Sequence, residues 1–201
     1  MLKYAWILSL VLLGLFKTSA LATTYNFDAG NNNTITSPQV ITASNDQQYI
    51  YGVLSSGEGI SDYYTLDFKT HAPQLVISLL VSQDRGRQDF QPNFIFGDPN
   101  LRERGGSFPY GFPAGVGGRV FDWSGQVTGA TFQDGLTGEK FRVGPQIVRD
   151  MSAQKYLLVV FDPKSVGGRY VIKIGSATPA EPLLTQLKHI WDWLRVKLDL
   201  Y

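Results

Sequence analysis

No cysteine occurs among the 201 residues, which excludes a disulfide framework, thiolate zinc sites and a cysteine nucleophile. Histidine is nearly as scarce, with two, so a triad that needs an imidazole between nucleophile and acid has little to draw on. Charge is sparse and balanced: 17% of residues are charged, with 18 Lys+Arg against 17 Asp+Glu and no basic run. Such a chain has no field to gather a polyanion, and nucleic acid is not an expected partner. Long apolar runs are missing too. The stretch from Ala5 to Phe16 stops at Lys17, well short of the ~20 residues that cross a bilayer as a helix. What is present is a 43% hydrophobic, 13% aromatic composition with 21 Gly and 10 Pro. That excludes wholesale disorder and supplies the core of one domain.

Residues 1–22 read as a secretory signal: Lys3, the apolar stretch, then small residues ending Ala20-Leu21-Ala22, with cleavage expected after Ala22. Loss of Lys3 and Lys17 leaves 16 basic against 17 acidic residues in the mature chain. The expected location is the periplasm, the cell envelope or the extracellular space. Asn32-Asn33-Thr34 is a glycosylation sequon only in a eukaryotic host.

From residue 23 to 176 the pattern has period two, broken by turn chemistry. Runs at Tyr49–Leu54, Asp62–Phe68, Gln74–Ser82, Asn93–Phe96, Tyr156–Phe161 and Arg169–Ile174 are rich in β-branched and aromatic residues. In the second of these Tyr64, Leu66 and Phe68 form one face, and Asp62, Thr65 and Asp67 are assigned to the other positions. In the third, Leu75, Ile77, Leu79 and Val81 face one way, while the opposite face is only half polar, which predicts a central strand. Weaker strand signals lie around Tyr25, Val40, Val120, Thr131 and Phe141. Short, frequent strands without βαβ alternation predict an antiparallel β-sandwich of jelly-roll type.

After Gly175 the period changes. Thr178-Pro179-Ala180-Glu181 has capping-box spacing, and Pro182 is an alternative first helical residue. Leu183, Leu187, Ile190, Trp191, Leu194 and Leu198 then draw one apolar stripe, giving a C-terminal amphipathic helix over 177–201. Three roles are open to it: packing on the sandwich, docking on a partner, or lying in a membrane interface with Trp191 and Trp193 at headgroup level. Leu187, Trp191, Trp193 and Leu194 are its candidate contact residues. Its charges are mixed, which suits anionic lipid poorly, so the membrane ranks last.

Three blocks carry a resemblance. They are Gly52-Val53-Leu54 with Ser61-Asp62-Tyr63-Tyr64-Thr65-Leu66-Asp67-Phe68, then Leu75-Val76-Ile77-Ser78-Leu79, and finally Gly167-Gly168-Arg169-Tyr170-Val171-Ile172. In these the chain resembles bacterial pre-peptidase C-terminal domains, through the patterns G-x-L…D-Y-Y-x-L-x-F and G-x-Y-x-I. The resemblance covers about a third of the chain and implies export, a jelly-roll sandwich and no catalytic residues. It departs in a long insertion, from about Gly97 to Ala153, and in having no protease attached. Around Gly97-Asp98-Pro99-Asn100-Leu101 the chain is also similar to exported proteins with no assigned activity.

Within the insertion, Ser107 to Gly125 sets Phe108, Tyr110, Phe112, Arg119, Phe121 and Trp123 among prolines and glycines. Rings on rigid loops suit a binding platform for protein or glycan; rings folded back to cover one end of the sandwich are the preferred reading. Candidate binding residues are Phe108, Tyr110, Phe112, Arg119 and Trp123. Asp28-Ala29-Gly30-Asn31 and Asp98-Pro99-Asn100 offer oxygens of the kind calcium takes, but they lack regular spacing and read more simply as turns, so neither metal nor cofactor is expected. Asp122, Asp134 and Glu139 are the least implausible carboxylates for glycoside hydrolysis. His71 and His189 lack any nucleophile motif nearby. The expected function is a non-catalytic exported binding module. An envelope hydrolase using loop carboxylates, and a peripheral membrane protein held by the helix, are the alternatives.

Overall fold

The computed structural model describes residues 23–28, 30–57, 60–83, 89–101, 104, 105, 108, 112, 113, 116–123, 131–134 and 138–175. The expected signal segment, Tyr110 and the expected C-terminal helix with Leu187, Trp191, Trp193 and Leu194 lie outside them. The described chain is mainly β: β1 (Thr24–Phe27), β2 (Gln39–Ala43), β3 (Gln48–Leu54), β4 (Ser61–Phe68), β5 (Ala72–Ser82), β6 (Asn93–Asp98), β7 (Arg104–Gly105), β8 (Gly117–Phe121), β9 (Thr131–Gln133), β10 (Lys140–Met151), β11 (Lys155–Phe161) and β12 (Gly168–Ile174).

These strands build two six-stranded sheets, a first in the order β1-β3-β12-β5-β10-β9 and a second in the order β2-β4-β11-β6-β8-β7. Every strand read from the sequence has its counterpart. Pairing is antiparallel through the centre of both sheets, but β1 pairs parallel with β3, β2 with β4, and β7 with β8. Here the expectation of a purely antiparallel arrangement is corrected. From β1 to β6 successive strands alternate between the sheets, so β1 and β3, and β2 and β4, become neighbours, and two reversals restore the direction.

One core lies between the sheets. Ile50, Leu54, Ile77, Leu79 and Ile172 from the first sheet meet Leu66, Phe68, Phe94, Phe96 and Leu158 from the second. The period-two faces of β4 and β5 are as expected, except that Asp62 shares the inner face with Tyr64, Leu66 and Phe68. Strict alternation requires this of an even-numbered residue in the same strand. As its half-polar second face predicted, β5 is central, between β12 and β10.

β10 is the longest strand, at 12 residues, and it has a register break between Val143 and Gln146. Gly144-Pro145 sits in that break, where proline forfeits no ladder hydrogen bond. On its outward side β9 pairs only with Lys140 to Arg142. The rest of β10 therefore has no strand neighbour on that side among the described residues.

Candidate functional site

Alternation along β8 sorts the aromatic segment into two groups. Arg119 pairs with Phe96 and Phe121 with Phe94, both core residues, so Arg119 and Phe121 are on the inner side at the sheet edge. Gly118 pairs with Gly97 and Val120 with Ile95 on the outer side. Phe112 sits over the Gly97-Gly118 pair, where a Cβ on Gly118 would come to 3.1 Å from its ring. Phe108 stacks on Phe112 with ring centroids 4.7 Å apart, and both join an outer cluster with Tyr63, Ile95, Val159 and Phe161. Phe108 and Phe112 thus cover the outside of the second sheet, while Arg119, Phe121 and Trp123 face the open side of the sandwich.

That open side holds a cleft of about 560 Å³ between β8 and β10, lined by Phe96, Leu101, Gly118, Arg119, Phe121 and residues 146–149. Phe96 forms an apolar floor, with Phe121 stacked on Phe94 at 4.9 Å beside it. Two guanidinium groups mark the walls. Arg149 is neutralised by the buried Asp98, NH2 to Oδ2 2.6 Å, a pair that ties the two sheets together. The Asp98 carboxylate also accepts from the Asn100 amide at 2.8 Å and from Gln154 Nε2 at 3.2 Å. Arg119 is exposed and lies 5.6 Å from the centroid of the Phe121 ring. Among the described residues it has no acidic partner.

Trp123 is not among the residues that line this cleft and packs on β10 instead. Its indole lies flat where a Cβ on Gly144 would stand, it packs against the main core, and the Arg142 guanidinium covers it at 5.6 Å. Glycine at 144 is what lets the indole reach the β10 backbone.

The carboxylates considered for hydrolysis divide between the sheets: the Asp134 backbone amide donates to the Glu139 carbonyl at 2.9 Å, so these two are neighbours, and Asp122 adjoins the other sheet. Asp122 follows β8 in the second sheet and is exposed, whereas Asp134 and Glu139 flank the β9–β10 hairpin at 3% and 8% exposure. Glu139 accepts from Ser82 Oγ. The cavity it lines with Tyr51, Phe141 and Tyr170 has a volume of only about 20 Å³, enough for a single water. His71 is exposed in the β4–β5 turn.

A second polar constellation, missed in the sequence, lies between the sheets. Tyr170 Oη donates to Asp62 Oδ2 at 2.6 Å and lies 2.7 Å from Tyr64 Oη. Tyr64 Oη donates onward to Asp28 Oδ2 at 3.4 Å. The Asn32 amide, turned with its nitrogen toward the acid, donates to Asp28 Oδ1 at 2.7 Å. Burial, with the Asp28 charge adding to it, pushes Asp62 up to about 7, partly offset by the Tyr170 hydrogen bond. Asp28 is also raised, by burial, against the Gly30 amide and the Tyr64 and Asn32 hydrogen bonds. Desolvation holds both tyrosines well above their ordinary range, so they act as neutral donors. Asn32 is 1% exposed and has no room for a glycan in the folded chain. The group pins β12 to β4. Its signal was a period-two register: Asp62 and Tyr64 are two apart, so they share a face.

No protein-family model matches the chain, and no curated protein matches it.

Proposed function

We propose that this chain is an exported, non-catalytic binding module that takes an extended segment of another protein along the open side of the sandwich. The carrying observation is the cleft itself, which sets an apolar floor and Arg119, without an acidic partner among the described residues, beside a stretch of β10 that lacks a described strand neighbour. An added strand gains main-chain hydrogen bonds from such an edge, and alternate side chains then point into the groove. Arg119 gives the site a preference for a carboxylate, because a planar guanidinium binds that group through two parallel donors. The resemblance to pre-peptidase C-terminal domains supports a role without catalysis, and the alternation of strands between sheets supports a jelly-roll winding. The signal pattern at 1–22 supports export, with a mature N-terminus at Thr23 that sequencing of the secreted product would read.

The test is selection of peptides from a random displayed library against the mature protein. Selected peptides are expected to alternate apolar residues around an Asp or Glu. Arg119→Ala should weaken them about tenfold at low salt while leaving the melting temperature unchanged, since this side chain is exposed. Selected peptides without acids, or equal binding by the variant, would refute the proposal.

A further inference from the structure

The two outer faces of the sandwich differ in what covers them. On the second sheet, Tyr63, Ile95, Val159 and Phe161 are joined by residues from connections, Ile35, Phe108 and Phe112. On the first sheet every member of the outer cluster among the described residues is a strand residue: Tyr49, Tyr51, Leu80, Phe141 and Val171, with Tyr25, Phe27, Phe132 and Val143 beside them. Even so, Leu80 is 1%, Val171 3% and Ser78 3% exposed. Such values belong to an interior and not to the bare side of an outer layer. Lys173 shares this face, its Nζ 4.4 Å from the centroid of the Phe132 ring, and desolvation lowers its pKa.

The chain itself supplies a cover of the right kind in the right place. It leaves β12 at Gly175, and β12 lies in the middle of the first sheet between β3 and β5. Residues 176–201 follow, carrying the apolar stripe of Leu183, Leu187, Ile190, Trp191, Leu194 and Leu198. As a helix, residues 182–200 would span ~28 Å, against a width of ~24 Å for six strands at ~4.8 Å spacing. One element is wide enough to cross the aromatic face.

We propose that residues 177–201 lie as an amphipathic helix across the outer face of the first sheet, burying the stripe on Tyr49, Tyr51, Leu80 and Val171. The helix is then a third layer of the domain, and its stripe is not free for a membrane or a second protein.

The absence of cysteine makes a clean test possible. Ser78→Cys places the only thiol of the chain on this face, and its reaction with a small aromatic disulfide is timed in the full mature protein. The proposal expects strong protection, lost by at least tenfold when Leu187→Asp and Leu194→Asp are added, with Lys188→Asp on the polar side leaving protection intact. Should the double variant lose its sheet circular dichroism, Trp191→Ala makes the same comparison with a smaller perturbation. Labelling that is equally fast with and without the stripe substitutions overturns the proposal. So does protection that arises only on adding phosphatidylglycerol vesicles or only at concentrations where the protein self-associates, because the cover would then come from lipid or from a second copy.

Discussion

Replacing Asp62 with asparagine should stabilise the protein at alkaline pH and do little at acid pH. Asp62 is 5% exposed and its carboxyl is raised to about 7 from an ordinary 3.8. The native state therefore holds a proton that the unfolded chain releases between those values. Unfolding stability falls wherever the native state binds more protons. Asp62 thus contributes fully below about pH 3.8, loses that contribution as pH rises, and is a net burden above pH 7. Roughly three units at 1.36 kcal/mol each put the full swing at about 4 kcal/mol, an upper bound because the pocket relaxes around the charge. The other titrating groups that face it are Asp28, Tyr64 and Tyr170; both tyrosines stay neutral throughout this range. Asparagine keeps an oxygen for the Tyr170 hydroxyl and carries no charge. Urea unfolding of both proteins from pH 4 to 8 gives a difference curve in which the carboxylates not coupled to Asp62 cancel and Asp28, which is coupled to it, adds a smaller contribution. The curve should favour Asp62→Asn progressively as pH rises. A flat curve, or a variant less stable at pH 8, would refute the argument from burial.

Three further outcomes follow from the packing. Gly52→Ala would drive a methyl into the Tyr170 ring, which the Asp62 and Tyr64 hydrogen bonds hold in place; a loss of about 1–3 kcal/mol in chemical denaturation is expected. Arg149→Met leaves the Asp98 carboxylate, 2% exposed, without its cation, and should cost about 1.5–3 kcal/mol by urea titration. Asp98→Asn added to it should recover part of that loss. Phe112→Ala strips the cover from Gly97 and Gly118 and should lower the melting temperature without changing peptide affinity, which separates Phe112 from Arg119.

Much of the scaffold was legible because its strands carry their period openly. β5 could be placed at the centre of a sheet from a half-polar second face alone. β10 was harder: Gly144-Pro145 interrupts its alternation, and as part of an apparent insertion it gave only a weak signal near Phe141. The parallel pairs β1–β3 and β2–β4 were illegible, since each joins strands separated by an excursion into the opposite sheet. The residues that carried the family resemblance meet in space. Asp62 and Tyr64 of the first block and Tyr170 of the last form the polar pin, with the Tyr170 ring against Gly52. These residues form a structural device, and the candidate site lies elsewhere, in the cleft that β6, β8 and β10 line. In the aromatic segment the sequence presented as one set residues that the structure divides into two groups. Phe108 and Phe112 cover the outside of a sheet, and Arg119 turns inward, a division set by register against β6 and invisible without the pairing. Nor could the sequence show that Trp123 rests on Gly144, 21 residues on.

Hydrogen exchange along β10 bears most directly on the open side as the binding edge. With a selected acidic peptide bound, the amides of residues 146–149 that face away from β5 should slow markedly, together with those around Arg119. Protection confined to the outer surface around Phe108 and Phe112, with β10 unchanged, would contradict strand addition and move the binding surface to the other side of the second sheet.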